Sequence, residues 1–290
     1  NVIYGDGIYR SENGGKSWKN MGLKNSEHIG GIVIDPGNSN VVYVAAYGSM
    51  RNPGGDRGIY KTTDGGKTWR RVLFVSDNTG CFEVHMDPRY STNLYAVAHQ
   101  RMRKGYTGIG GGNESAIYRS LDSGATWQKI MTGLPSENVG RIGMAVSPVN
   151  PDILYALVQA KEGSGFYKST DRGISWTKQS SYNSAYPFYM QKIVADPKEE
   201  NRIYSMDLLI QVSDDGGKTF KALGEKFKHV DNHAMWIDPA NTRHLISGND
   251  GGVYETWDRG QTWDFKSNIP ITEIYKVSTD NALPFYNVYI

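Results

Sequence analysis

Two carboxylates and an imidazole stand out as groups that could share chemistry. They are Asp231 and His233 in the run His229-Val230-Asp231-Asn232-His233, and Asp250 in Gly248-Asn249-Asp250-Gly251-Gly252. Two carboxyl groups brought within roughly 5–10 Å of each other are the usual equipment of glycoside hydrolysis. Asp231 leads into one strand and Asp250 follows the next, so a hairpin would bring them to one end of a sheet. The same stretch permits a second chemistry. If 229–233 is extended, His229, Asp231 and His233 project to one side, a set that could hold a divalent ion. No fourth ligand is evident, so no metal is assigned. In the plainer reading Asp250 caps the turn before Gly251-Gly252 and Asp231 holds a backbone amide, as most surface carboxylates do without a catalytic role. On that reading the chain binds rather than cuts.

These residues are positioned by a repeated element. Thr62-Thr63-Asp64-Gly65-Gly66-Lys67-Thr68-Trp69 has the pattern Ser/Thr-x-Asp/Asn-x-Gly-x-Ser/Thr-Trp/Phe. It recurs from Ser11 to Trp18, Ser120 to Trp127, Ser169 to Trp176, Ser213 to Phe220 and Thr256 to Trp263. The hydroxyl and Asp/Asn side chains can bond the N–H groups of a tight turn. The fixed glycine suits positive φ, and the closing ring can bury a large apolar face. Asn13, Asp64, Asp122, Asp171, Asp215 and Asp258 are therefore read as structural.

Between successive turns two more strands recur. One ends at a proline turn (Ile34-Asp35-Pro36, Met86-Asp87-Pro88, Val146-Ser147-Pro148, Ala195-Asp196-Pro197, Ile237-Asp238-Pro239). The other follows it (Val42-Tyr43-Val44, Leu94-Tyr95-Ala96, Leu154-Tyr155-Ala156, Ile203-Tyr204-Ser205, Leu245-Ile246-Ser247). Short β-rich runs separated by Pro, Asn and Gly are strands joined by hairpins. Four strands repeating about every 40–50 residues are the blades of a β-propeller. The expected fold is all-β, one propeller domain over 1–290. Blades are placed near 1–20, 28–74, 82–131, 141–179, 191–223, 234–266 and 274–290. Five are complete and those at the two ends are partial. Because 1–4 and 286–290 both read as second strands, they are assigned to different blades, and the chain reads as a piece of a ring of seven or more.

Strand alternation divides the loops between two faces. The motif turns lie on one. Loops 47–57, 99–115, 182–191, 229–233 and 248–252 are expected to converge on the other, where function on a rigid scaffold concentrates. They carry Arg51, Arg101, Arg103, Tyr106, Tyr186, Tyr189, His233 and Asn249 as candidate ligand contacts. Aromatic platforms beside Arg, Asn and Asp suit a sugar or a peptide; the same rings could equally pack between blades.

Composition removes other classes. A formal charge of +2 on 290 residues is no nucleic-acid signature. No apolar run is long enough for a membrane span. One cysteine, Cys81, excludes an internal disulfide and a cysteine-based zinc cluster. Neither a phosphate-cradling glycine loop between strand and helix nor a Gly-x-Ser-x-Gly elbow occurs. No cofactor is called for.

The turn motif resembles the Asp-box of the bacterial-neuraminidase-repeat (BNR) proteins. Tyr4-Gly5-Asp6-Gly7-Ile8-Tyr9, His28-Ile29-Gly30, Gly140-Arg141-Ile142-Gly143, Asp231-Asn232-His233 and Gly248-Asn249-Asp250-Gly251-Gly252 are similar to secreted bacterial sortilin-type propellers, often labelled glycosyl hydrolases. The resemblance spans nearly the whole chain. It implies a propeller and a secreted, periplasmic or cell-surface bacterial protein. Members of this fold include sialidases, xyloglucan-cleaving hydrolases, sortilin-type receptors and photosystem assembly factors, so fold does not settle activity. The sialidase arginine signature Arg-Ile-Pro is absent. The leading expectation is a binding module for a polysaccharide or protein, the alternative a hydrolase using Asp231 and Asp250, and the third an assembly scaffold.

Overall fold

The computed structural model describes residues 4–268 and the paired strands Ser278–Thr279 and Val288–Tyr289. The assignment of 1–4 and 286–290 to different blades falls largely outside these residues. Five four-stranded antiparallel sheets follow one another as blades of a β-propeller, and among the described residues there is no helix. The first blade is Ile29–Ile34, Val42–Ala46, Gly58–Thr62 and Arg70–Leu73. The second is Thr79–Met86, Leu94–Gln100, Ala116–Ser120 and Gln128–Lys129. Val139–Val146, Leu154–Ala160, Gly165–Ser169 and Thr177–Ser180 form the third. The fourth comprises Ile193–Ala195, Ile203–Ser205, Gln211–Ser213 and Lys221–Ala222, and the fifth Asn232–Ile237, Leu245–Asn249, Gly252–Thr256 and Asp264–Phe265. Tyr9–Arg10 pairs with Lys19–Asn20 ahead of them.

Each motif turn joins the third and fourth strands and closes through its own side chains. In the Asp64 copy, Thr68 donates its N–H (2.9 Å) and its hydroxyl (2.7 Å) to the carboxylate, and Gly66 N–H donates to Thr62 Oγ1 (2.9 Å). The Asp122, Asp171, Asp215 and Asp258 copies repeat this, and Asn13 accepts from Ser17 N–H. The hydroxyl and N–H of Thr126 hold the Asp122 carboxyl at about 2, and those of Thr262 do the same for Asp258. A carboxylate depressed on folding contributes stability above its unfolded value and loses it as pH falls through the folded one. The thermal midpoint is therefore expected to fall between about pH 4 and pH 2, by an amount reduced by the exposure of these carboxylates to solvent. A flat midpoint across that window would show that these turns contribute nothing.

The closing rings do not all behave as expected. Trp176 and Trp263 are buried, and Trp69 and Trp127 are half-buried. Trp18 is 62% exposed, against the expectation that every such ring is covered. The reason is where the ring packs, which is on the preceding blade. Indole N–H groups of Trp69, Trp176 and Trp263 donate to the carbonyls of Met21, Ile130 and Gly224. Phe220 likewise packs on Phe166 and Tyr182. Trp18 instead donates to Gly15 in its own turn, having no earlier blade among the described residues.

The innermost strands of the first three blades carry glycines where neighbouring blades meet. A Cβ at Gly143 would lie 1.5 Å from the Gln191 carbonyl, and one at Gly30 would lie 2.1 Å from that of Phe82. Neither neighbour is a flexible side-chain end, so the backbone must move. Gly143→Ala is expected to cost about 1–3 kcal/mol, the range for overpacking; an unchanged denaturation midpoint would refute this tight blade contact. Four of the inner strands also carry a bulge near their start, at Ile29/Gly31, Cys81/Glu83, Val139/Ile142 and Asn232/Ala234. The last of these shapes the site.

Candidate functional site

Asp231 enters the fifth blade with φ of 71°, in the left-handed region, and so the run 229–233 is not extended. Asn232 pairs with Asn249 and Ala234 with Gly248, leaving His233 as the bulged residue. A bulge re-aims a side chain. Here it swings His233 across to the second strand, where Nε2 lies 2.8 Å from Asp250 Oδ1 and 3.9 Å from Asp231 Oδ1. The expectation that His229 shares this side is not met. Its Nδ1 lies 2.6 Å from the Val230 carbonyl oxygen, and its ring packs over Gly251.

Donor atoms of Asp231, His233 and Asp250 all lie within 4.8 Å of one another. The turn-forming role that could have fallen to Asp250 is taken by Asn249. Its Oδ1 accepts from Gly251 N–H (2.9 Å) and its amide donates to His229 O (3.0 Å). Asp250 is thus left for His233, and it is half exposed. Asp231 is different. Its Oδ1 is buried and accepts no hydrogen bond among the described residues. Burial pushes its carboxyl above the usual range, repulsion from Asp250 adds to this, and attraction to His233 opposes it. A carboxyl pushed towards its protonated form beside a second carboxyl is an arrangement for donating a proton. Three such groups could also grip a divalent ion, although the His233–Asp250 bond already engages two of them with each other.

Beneath the cluster lies an ion pair that the sequence did not reveal. Lys228, in a polar stretch, has a fully buried side chain whose Nζ donates to His229 O (3.1 Å) and to Asn232 Oδ1 and lies 3.3 Å from Glu225. It sits over the rings of Tyr254 and Trp263. Burial lowers its pKa, with Glu225 opposing. Glu225 Oε1 also accepts from Ile210 N–H and the Asn232 amide. Residues on both sides of Asp231 are therefore clamped.

The other loops meet as a second group. Arg101 donates to Phe188 O and Arg103 to the Tyr189 hydroxyl, joining 99–115 to 182–191. Arg103 N–H donates to Met50 O, joining 99–115 to 47–57. Tyr186, Phe188 and Tyr189 are partly exposed. The loop 182–191 continues toward the cluster through Asp207, which accepts from Ala185 N–H, while the Asp207 carbonyl accepts from Asn232 N–H. Two further arginines build this face. Buried Arg57 donates to the carbonyls of Tyr47, Asn52 and Gly54 and shapes loop 47–57. Arg141, in the sequence part of the Gly140-Arg141-Ile142-Gly143 resemblance, lies 4.0 Å from the Phe82 ring centre and donates to Tyr189 O (2.6 Å). Burial pulls its pKa down to about 10. His99 is buried between the Tyr47 hydroxyl and the Gly110 carbonyl, and burial holds it near 3, hence neutral.

The sequence model of the Sortilin-Vps10 family (sortilin, neurotensin receptor 3) matches residues 6–108. A xyloglucanase of Hypocrea jecorina is 29% identical over 198 residues, covering 64% of this chain and 21% of that protein. Xyloglucanase Xgh74A of Acetivibrio thermocellus is 26% identical over 266 residues, covering 79% of this chain and 31% of that protein. The chain thus spans about a fifth to a third of the length of these relatives. Among solved structures, an ancestral GH74 enzyme superposes with a TM-score of 0.65 at 18% identity, covering 91% of this chain and 36% of that one. YCF48 bound to D1 peptide superposes at 0.59 and 16% identity, covering 95% and 80%. These likenesses support an Asp-box, glycosyl-hydrolase-like propeller. They also correct the leading functional expectation. Both of these curated relatives are hydrolases by name, which favours the catalytic alternative over a non-catalytic binding module.

Proposed function

We propose that this Asp-box, glycosyl-hydrolase-like β-propeller belongs to a glycoside hydrolase that acts outside the cell on a polysaccharide of the xyloglucan class. The observation that carries the reading is the Asp231 carboxyl. The carboxyl is partly buried, its Oδ1 is covered and lacks a donor among the described residues, and it is pushed towards its protonated form beside Asp250 and His233. The names of the curated relatives supply the substrate class.

The geometry limits the role of the pair. Carboxyl groups that flank a glycosidic bond stand about 5–5.5 Å apart for retention or about 6.5–9.5 Å for inversion. Asp231 and Asp250 approach within 4.8 Å and leave no room for a water between them. They act as one proton-sharing unit. Asp231 gives its proton to the glycosidic oxygen as the bond from the anomeric carbon to that oxygen breaks. The reaction then requires a further carboxylate, outside this cluster, to activate the attacking water or to attack the anomeric carbon itself. Asp250 and His233 then return a proton from solvent to Asp231. Incubation with xyloglucan is expected to release new reducing ends with the native protein and none with the Asp231→Asn/Asp250→Asn double variant. The reading fails if the native protein cuts no β-glucan, or if the double variant cuts as well.

A further inference from the structure

We propose that the cleft between loops 47–57 and 99–115 is a binding subsite for a carboxylate-bearing sugar, a uronate carried on the polysaccharide. The inference rests on the reading of this face as a polysaccharide-binding one and adds a charge preference to it. The cleft has a volume of about 550 Å³ and is lined by Tyr4, His28, Arg51, Arg103, Lys104 and Tyr106 among others. That volume lies within the range of small-ligand sites. The lining residues include three fixed cations and no carboxylate.

Some cations elsewhere are neutralised by carboxylates, and those of the cleft are not. Arg89 is neutralised by Asp87 and Asp152, Arg202 by Glu199 and Asp214, and Arg259 by Glu199. Among the described residues no carboxylate lies within ion-pair distance of Arg51, Arg103 or Lys104. Arg103 spends one N–H on the Tyr189 hydroxyl at 3.1 Å, and Arg51 lies 5.8 Å from the Tyr4 ring centre. Two guanidinium groups with donors to spare suit a planar carboxylate, which they grip through paired N–H bonds.

The walls are preformed. Met102–Arg103 and Gly108–Ile109 pair as a hairpin, and Arg103 N–H donates to Met50 O at 2.7 Å, tying one wall to the other. At the tip of that hairpin Tyr106 is 85% exposed and has no apolar cover of its own. An uncovered ring beside unpaired guanidinium groups fits a sugar ring that carries an acid. It does not fit nucleic acid, which needs a long basic track, and the chain carries a net charge of only +2.

Calorimetric titration with a galacturonic acid hexamer and with cellohexaose tests the proposal. The acidic hexamer is expected to bind at least about tenfold more tightly, the worth of one charge-assisted hydrogen bond. Its Kd should rise with added salt. Arg51→Gln and Arg103→Gln should each weaken it about tenfold. Arg103→Lys should fall between, because it keeps the charge and loses the fork. Equal Kd values for the two hexamers, or wild-type binding by both glutamine variants, would overturn the proposal. So would a glutamate hexapeptide that binds more tightly than the sugar acid through the same arginines. The titration scores no turnover, so it stands or falls separately from cleavage of xyloglucan. Repeating it in the Asp231→Asn/Asp250→Asn protein should give the same Kd.

Discussion

Asp231→Asn is expected to lower turnover about 10²- to 10⁴-fold, the contribution of a positioned general acid, while leaving the fold as stable as before or more so. The substitution keeps shape and removes only the transferable proton. Stability follows from the sign of the shift. The Asp231 carboxyl is raised on folding, by burial first and by Asp250 second. A raised carboxyl disfavours the folded state above its unfolded value, increasingly as pH rises towards the folded one. At neutral pH the asparagine relieves that penalty. The pH profile carries a second signature. Activity that needs protonated Asp231 is present at low pH and disappears as pH rises through its folded pKa. Asp250→Asn removes the like charge, lowers that pKa, and should move the alkaline limb to lower pH. A loss of less than tenfold in the Asp231 variant would sink the assignment. So would an alkaline limb unmoved in whatever activity the Asp250 variant retains.

What the sequence made legible is local. Each Asp-box closes within eight residues, with hydroxyl, carboxylate and glycine all acting on their own turn, so its structure could be read copy by copy. The fate of Trp18 could not, because its burial depends on a neighbouring blade. Asp231 and Asp250 were paired correctly in space because their strands, Asn232–Ile237 and Leu245–Asn249, are consecutive and antiparallel. His229 was misplaced for a different reason. The alternation argument assumes extended backbone, whereas Asp231 has positive φ and His233 sits in a bulge. Bulges belong to the pairing of two strands and leave little mark on either alone. Arg57 and Lys228 escaped because a basic residue in a polar loop reads as solvated. Only the docking of that loop onto carbonyls or rings buries it.

Lys228→Met is expected to cost about 3–5 kcal/mol, the penalty for leaving one member of a buried pair uncompensated. Glu225 is almost as buried as the lysine, and its Oε2 accepts no bond among the described residues. Without the ammonium the Glu225 charge faces only Ile210 N–H and the Asn232 amide. Replacing both partners removes the charge along with its counterion, so Lys228→Met/Glu225→Gln should recover much of the loss. The coupling measured in a denaturation cycle should reach about 1–3 kcal/mol. Turnover should not recover with stability. Lys228 also holds the His229 carbonyl and the Asn232 side chain on either side of Asp231, and the double variant restores neither bond. A residue in the left-handed region keeps that conformation only while its surroundings enforce it. Released, Asp231 should relax away from Asp250, and its carboxyl should move back towards the ordinary range. The double variant should therefore be folded, slow, and shifted to lower pH on its alkaline limb. Additive stabilities would show that Lys228 and Glu225 are not a pair. Native turnover in the double variant would show that the clamp does not set the position of Asp231.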